Sequence, residues 1–136
     1  IPGFFQLRYV QNTGAAWGIF SGFNNWLVLL SVVMIGFLVL FRKSLYTDGV
    51  VSRVALGLLG GGIVGNLVDR IKLGYVVDFL DFFLGDSHFP AFNIADSAIC
   101  VGVGIYVFLQ VRVSYNERHF AKSSAEPSAG NASEEE

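Results

Sequence analysis

The chain has 136 residues, 53% of them hydrophobic and only 15% charged, with a formal net charge of −2. A soluble domain carries about 25% charged residues, so these charges are too few to cover a compact water-soluble fold, and an integral membrane protein is what remains. The same figures exclude a disordered chain; the single Cys excludes a disulfide scaffold, and the lack of basic excess excludes nucleic acid as a partner.

In chain order, residues 1–20 show no basic segment followed by an apolar core, so no signal peptide is read there. FFQLRYV alternates enough for a short external strand. The turn formers Asn12, Thr13 and Gly14 follow, in QNTGAAWGIF, with Tyr9, Trp17 and Phe20 suited to an interfacial layer. A first span is expected at residues 23–41, uncharged and closed by Arg42 and Lys43. The second is expected at residues 49–68. It is rich in glycine, and Gly61 and Gly65 form the four-residue spacing that lets helices approach closely in lipid.

That span ends in GNLVDR, where Asn66 and Arg70 share a helix face and Asp69 lies within reach of Lys72. GYVVDFLDFF is too short and too polar to span, and is read as an interfacial segment carrying Asp78 and Asp81. In FPAFNIADSAIC, Asn93 is placed to cap a third span at residues 92–111, with Asp96 at its third helical position. Residues 1–120 thus form one membrane domain. Residues 121–136, AKSSAEPSAGNASEEE, are read as a disordered cytoplasmic tail, since they hold nothing to bury.

Lys and Arg set the orientation. Arg42, Lys43 and Arg53 flank the first loop, and Arg112, Arg118 and Lys122 follow the third span, which makes that side cytoplasmic. An external start without a signal sequence leads to the expectation of one further span upstream. The fold class expected is an all-α integral membrane helical bundle, with four spans in the intact protein and three recognisable here, plus a small external β/loop element and an interfacial segment.

Five of the 11 acidic residues, Asp69, Asp78, Asp81, Asp86 and Asp96, then gather at the outer face. Asp78 and Asp96 are joined by a segment that can fold back. Two close carboxyls cannot both ionise easily, so one holds a proton while the other activates water, the chemistry of aspartic proteases. Helix capping alone also accounts for Asn93 and Asp96. His88 and His119 fall on opposite sides, Cys100 lies deep in the third span without a base, and no ligand spacing supports a metal at Asp86, His88 and Asp96. No metal or other cofactor is expected.

Four motifs, NTGAAWGIF, GGGIVGNLVDR, GYVVDFLDFF and FNIADSAICVG, stand in order over residues 11–104. Together they closely resemble those of bacterial lipoprotein signal peptidase, signal peptidase II. The resemblance implies a four-helix aspartic endopeptidase of the bacterial inner membrane, acting near its outer face on prolipoproteins before a diacylglyceryl-modified Cys. It implies Asp78 and Asp96 as the catalytic pair and Asn12, Asn66, Arg70 and Asn93 as residues that hold substrate backbone or support the pair. Asp69, Gly14 and Gly65 take structural roles. The implied partners are lipid-modified prolipoproteins and membrane lipids, with the enzyme a monomer. The rival class is a small channel or transporter using the acidic residues. It calls for ionisable groups near the midplane, whereas residues 28–40 and 55–64 carry no charge.

Overall fold

The computed structural model describes residues 1–45 and 49–125, with 120–125 as backbone alone. Its strands are β1 (Phe5–Asn12), β2 (Val76–Leu84) and β3 (Ser87–His88); its helices are α1 (Asn24–Leu40), α2 (Arg42–Leu45), α3 (Val50–Leu73) and α4 (Ile94–Ala125).

Two stretches, Val50–Leu73 and Ile94–His119, are long and apolar enough to cross a bilayer. Helix α1 has 17 residues, about 25 Å at 1.5 Å per residue, against a hydrocarbon core of about 30 Å. The segment expected as a first span holds this shorter apolar helix, and among the described residues the two longer helices reach full spanning length. At the other end, α4 runs on to Ala125, so residues 121–125, expected as tail, continue the helix. Residues 126–136 lie outside the described residues.

Polarity is inverted relative to a soluble domain. Leu27, Ala55, Ile63 and Val76 are the buried hydrophobic residues, while Ser52, Asn66, Arg70, Asp78, Asp81 and Asn93 are buried polar ones. Leu29, Leu30, Val33 and Phe37 of α1 and Val101, Val107, Phe108 and Val111 of α4 face outward. Such surfaces suit lipid, where apolar side chains cost nothing to expose and polar ones turn inward.

Helices α3 and α4 pack through small residues. A Cβ on Gly62 would collide with the Ala95 carbonyl and lie 2.7 Å from Ile99 Cγ1; one on Gly102 would lie 2.7 Å from the Ala55 carbonyl. Gly65 sits at the same seam, 3.2 Å from Ala95 Cβ, whereas Gly61 meets nothing. The close-approach pair is thus Gly62 and Gly65, not Gly61 and Gly65. The buried α3 positions Ser52, Ala55, Gly62 and Asn66 recur at the three-, seven- and four-residue steps that keep one face on a partner helix.

The segment read as interfacial is a strand. β2 lies between β1 and β3, antiparallel to both. Its aromatic and β-branched residues favour a pleated surface, and a two-residue loop opened by Gly85, at φ +60°, turns it into β3. Between Leu7 and Val10 the register slips by one residue, a β-bulge. In a regular strand Gln6 and Asn12 would share a face. The extra residue sends Gln6 to the face of Asp81 and Asn12 to the face of Asp78. The expected strand at the N-terminus is present as β1.

α3 arrives at the sheet and ends on Gly74, left-handed at φ +84°, whose N–H donates to the Arg70 carbonyl at 3.1 Å. α4 departs from the sheet, so the C-terminus of α3 and the N-terminus of α4 meet there. Arg42, Lys43 and Arg53 stand at the far end.

Candidate active site

Asp78 projects from β2 and is 2% exposed. Asn12 Nδ2 donates to its Oδ2 at 2.9 Å, and Asn93 Nδ2 donates to its Oδ1 at 2.9 Å. Asn93 Nδ2 also donates to Asn66 Oδ1 at 3.1 Å, and Asn66 Nδ2 donates to Asp96 Oδ1 at 2.7 Å. No hydrogen bond joins the two carboxyl groups directly; the amides of Asn66 and Asn93 connect them.

Local sequence explains the Asp96 end. The Asp96 N–H donates to Asn93 Oδ1 at 3.1 Å, and the Asn93 N–H donates back to Asp96 Oδ2 at 3.1 Å. This is a reciprocal capping box, which satisfies two donors of the first turn and favours a negative charge there. The capping expected of Asn93 and Asp96 is therefore present, and it leaves Asp96 Oδ1 to accept from Asn66.

At the other side, Asn12 Oδ1 accepts from the Gly14 N–H at 2.9 Å, and Asn12 Nδ2 donates to the Ala15 carbonyl at 3.3 Å. Arg70 is buried. Its Nη2 donates to the Gly14 carbonyl at 2.8 Å and its Nη1 to the Asn66 carbonyl at 3.4 Å. The guanidinium braces the turn after β1 against α3. A Cβ on Gly14 would lie 2.6 Å from the Ile19 carbonyl, so only a glycine fits that turn. Asn12, Gly14, Asn66, Arg70, Asp78, Asn93 and Asp96, distributed over 85 positions, thus form one connected network.

Two expected residues stand outside it. Asp69 Oδ2 accepts from the Val77 N–H at 3.2 Å, tying α3 to β2 rather than pairing with Lys72. Gly65 belongs to the α3–α4 seam.

Burial pushes the Asp78 carboxyl above its ordinary pKa. The hydrogen bonds from Asn12 and Asn93 pull the other way, the charge of Asp96 adds to the rise, and Arg70 opposes it. Asp81, expected to face water if not functional, is instead fully buried. Bonding to His88 first, and to Gln6 next, holds its carboxyl below the ordinary range.

Sequence reasoning missed three contributors. His88 and Gln6 both bind Asp81, and Asn24 Nδ2 donates to the Arg70 carbonyl at 3.3 Å. The second Asp of DFLDFF, opposite a Gln in an alternating strand, was the available signal for the first two. Among the described residues, no group of three or more His, Cys, Asp or Glu side chains is arranged to hold a metal.

Residues 1–112 match the family described as Signal peptidase (SPase) II. A lipoprotein signal peptidase of Syntrophotalea carbinolica is 45% identical over 115 residues, covering 82% of this chain and 71% of that protein. One from Geobacter metallireducens is 41% identical over 128 residues, covering 91% and 76%. A solved structure described as a bacterial membrane enzyme superposes with a TM-score of 0.76 at 35% identity, covering 85% of this chain and 71% of that one. The matched residues include β1, the whole of α3, the β2–β3 hairpin and the first turns of α4, so the elements that assemble the Asp78–Asp96 network are the ones shared, and the chain belongs to the signal peptidase II family of membrane-associated proteases.

Proposed function

We propose that this chain is an aspartic endopeptidase that removes the signal peptide from diacylglyceryl-modified prolipoproteins, cutting before the lipidated Cys. The observation that carries this reading is the Asp78–Asn93–Asn66–Asp96 network at one end of the apolar helices.

Asp78, whose pKa burial raises, is the acid, and Asp96 is the base. Asp96 takes a proton from water as the water oxygen attacks the scissile carbonyl carbon, while Asp78 gives its proton to the carbonyl oxygen. In the collapse of the tetrahedral intermediate, Asp96 passes its proton to the leaving amine and Asp78 recovers one from the intermediate. The products are the signal peptide's carboxyl end and the free α-amino group of the lipidated Cys.

The asparagines divide by their remaining hydrogen-bonding capacity. Asn12 and Asn93 use both amide hydrogens within the protein, which suits them to orient Asp78. Asn66 uses one, and its second has no acceptor among the described residues, so it is the amide suited to a substrate carbonyl. Arg70 supports both through the Gly14 and Asn66 carbonyls.

The site lies at the end of the bundle away from Arg42, Lys43 and Arg53. By the distribution of positive charge that is the outer face of the bacterial inner membrane, where a substrate can leave its acyl chains in the bilayer while its peptide bond meets water. The test incubates the purified protein with a diacylglyceryl-modified precursor peptide and with its unlipidated twin in micelles at matched concentration. Cleavage of the lipidated peptide alone is expected. Equal kcat/KM for the two would overturn the lipid requirement, and cleavage of neither would overturn the activity.

A further inference from the structure

The proposed chemistry leaves Asp81 unused. Its carboxylate is fully buried, on the face of β2 opposite Asp78, since the two stand three positions apart along a regular strand. A buried carboxylate is costly unless bonded and paired, and this one is met from both neighbouring strands. Gln6 Nε2 of β1 donates to Oδ2 at 2.8 Å, and Arg8 Nε lies 3.7 Å from the same oxygen. From β3, His88 Nδ1 lies 2.9 Å from Oδ1 and 3.1 Å from Oδ2.

The place of this tie in the chain gives it a consequence. β3 is only two residues long, and its ladder to β2 consists of the pairs Phe83–His88 and Leu84–Ser87. So short a pairing is weak by itself. The His88 ring adds a stack on Phe83 with centroids 5.1 Å apart. Beyond His88 the chain stays against β2: the Phe89 N–H donates to the Phe82 carbonyl at 2.8 Å and the Phe92 N–H to the Leu80 carbonyl at 3.1 Å. The next residue is Asn93, which holds Asp78, and three further on is Asp96. The whole return path from one acid to the other therefore leans on β2, and the Asp81–His88 contact lies near its middle.

An apolar residue at 81 would bury as well at lower cost, but it would tolerate a slipped hairpin, whereas a carboxylate bonded from both sides accepts one register. We propose that Asp81, gripped by Gln6 and His88, is a positioning residue that fixes the β2–β3 return and with it the placement of Asp96 and Asn93 against Asp78. The inference rests on the reading of Asp78 and Asp96 as the catalytic pair.

The test measures kcat, KM and thermal midpoint on the full chain with the lipidated precursor, for Asp81→Asn, His88→Ala, His88→Asn and the Asp81→Asn/His88→Ala double variant, beside Asp78→Asn and Asp96→Asn. Displacement of a reacting group by about an ångström is worth on the order of 100-fold. Asp81→Asn and His88→Ala are therefore expected to lower kcat per folded molecule by roughly 10- to 100-fold with KM within about threefold. An Asn at 88 presents an amide donor where Nδ1 stood, and His88→Asn is expected to recover kcat to within about threefold of the wild type, which simple loss of sheet packing would not allow. The double variant is expected to be no worse than the poorer single. Should Asp81→Asn fail to fold, the His88 pair carries the test. The proposal falls if His88→Ala keeps wild-type kcat, or if His88→Asn is as poor as His88→Ala, while Asp78→Asn and Asp96→Asn are inactive. If those two stay active, it is the catalytic pair that has been misassigned.

Discussion

Asn93 caps the Asp96 N–H with its side-chain oxygen at 3.1 Å and receives the Asp96 carboxylate on its own backbone N–H at the same distance. Its side-chain nitrogen, on the far side of the same amide, holds Asp78 at 2.9 Å. One planar group thus sets the position of both carboxyl groups, and an ordinary helix start becomes a fixed mount for the Asp96 carboxylate. Because the amide is rigid, neither acid can shift without turning the other's partner.

In the proposed mechanism, replacing either acid removes one half of the proton relay. Asp78→Asn and Asp96→Asn are each expected to lower kcat by 10²- to 10⁴-fold or more, the usual worth of a positioned acid or base. The double variant should be scarcely worse than either single, because the two act as a unit. Turnover of the lipidated precursor by the purified, folded variants checks this; near-normal rates in either would remove that residue from the mechanism.

Asp78 also makes stability depend on pH. Its carboxyl titrates above its unfolded value because it is buried. The stability its neutral form contributes is therefore full below the unfolded pKa and is lost as pH rises through the folded pKa. Asp78→Asn has no such loss. As pH rises from about 4, near the unfolded value, the difference in Tm should move in favour of the variant until Asp78 has ionised in the folded state, and a flat difference would mean that its pKa is not raised by folding. Asp81, held low by His88 and Gln6, behaves oppositely. Its contribution is present above the unfolded pKa and fades as pH falls through the folded one. Over the same range kcat/KM should fall on the alkaline side as Asp78 loses its proton.

The α3–α4 seam predicts a contrast between adjacent glycines. Gly62→Ala drives a methyl into the Ala95 carbonyl and Ile99. It should cost about 1–3 kcal/mol and reduce activity, since Ala95 precedes Asp96. Gly61→Ala meets open space and should change stability by less than about 0.5 kcal/mol. Thermal unfolding in detergent distinguishes the two, and equal effects would refute the packing described here.

Orientation has its own check. A reporter fused after Gln110 is expected on the cytoplasmic side, and one within Asp86-Ser87-His88 on the outer side, from the distribution of Lys and Arg. The reverse result in a protease-protection assay would move the site to the inner face.

Much of the site was legible in the sequence because its residues carry polar chemistry in otherwise apolar surroundings. A buried amide or carboxylate in lipid is costly, so Asn66, Asp78, Asn93 and Asp96 stand out wherever they fall. The helices were legible from apolar runs, but their exact lengths were not. α1 stops at Leu40 and α3 continues to Leu73, because caps and tertiary contacts set the ends, not hydropathy. The strand form of β2 was not legible because its alternation is masked: Phe79 and Phe83 on one face are as apolar as Leu80 and Phe82 on the other. Asp81 was undervalued for a related reason. Its partners Gln6 and His88 lie 75 and seven positions away, and only the pairing of β1 with β2 brings the first of them near.

The bulge at residues 8 and 9 has a consequence for what this segment can tolerate. A strand reads its two faces by counting, and here the count is deliberately off by one between Gln6 and Asn12. Apart from Gln6, which bonds Asp81, most side chains in β1 are exposed and open to exchange. Loss or gain of one residue between Leu7 and Val10 would instead turn Asn12 away from Asp78 while leaving a pairable strand. The number of residues in β1, more than their identity, is what keeps the site connected.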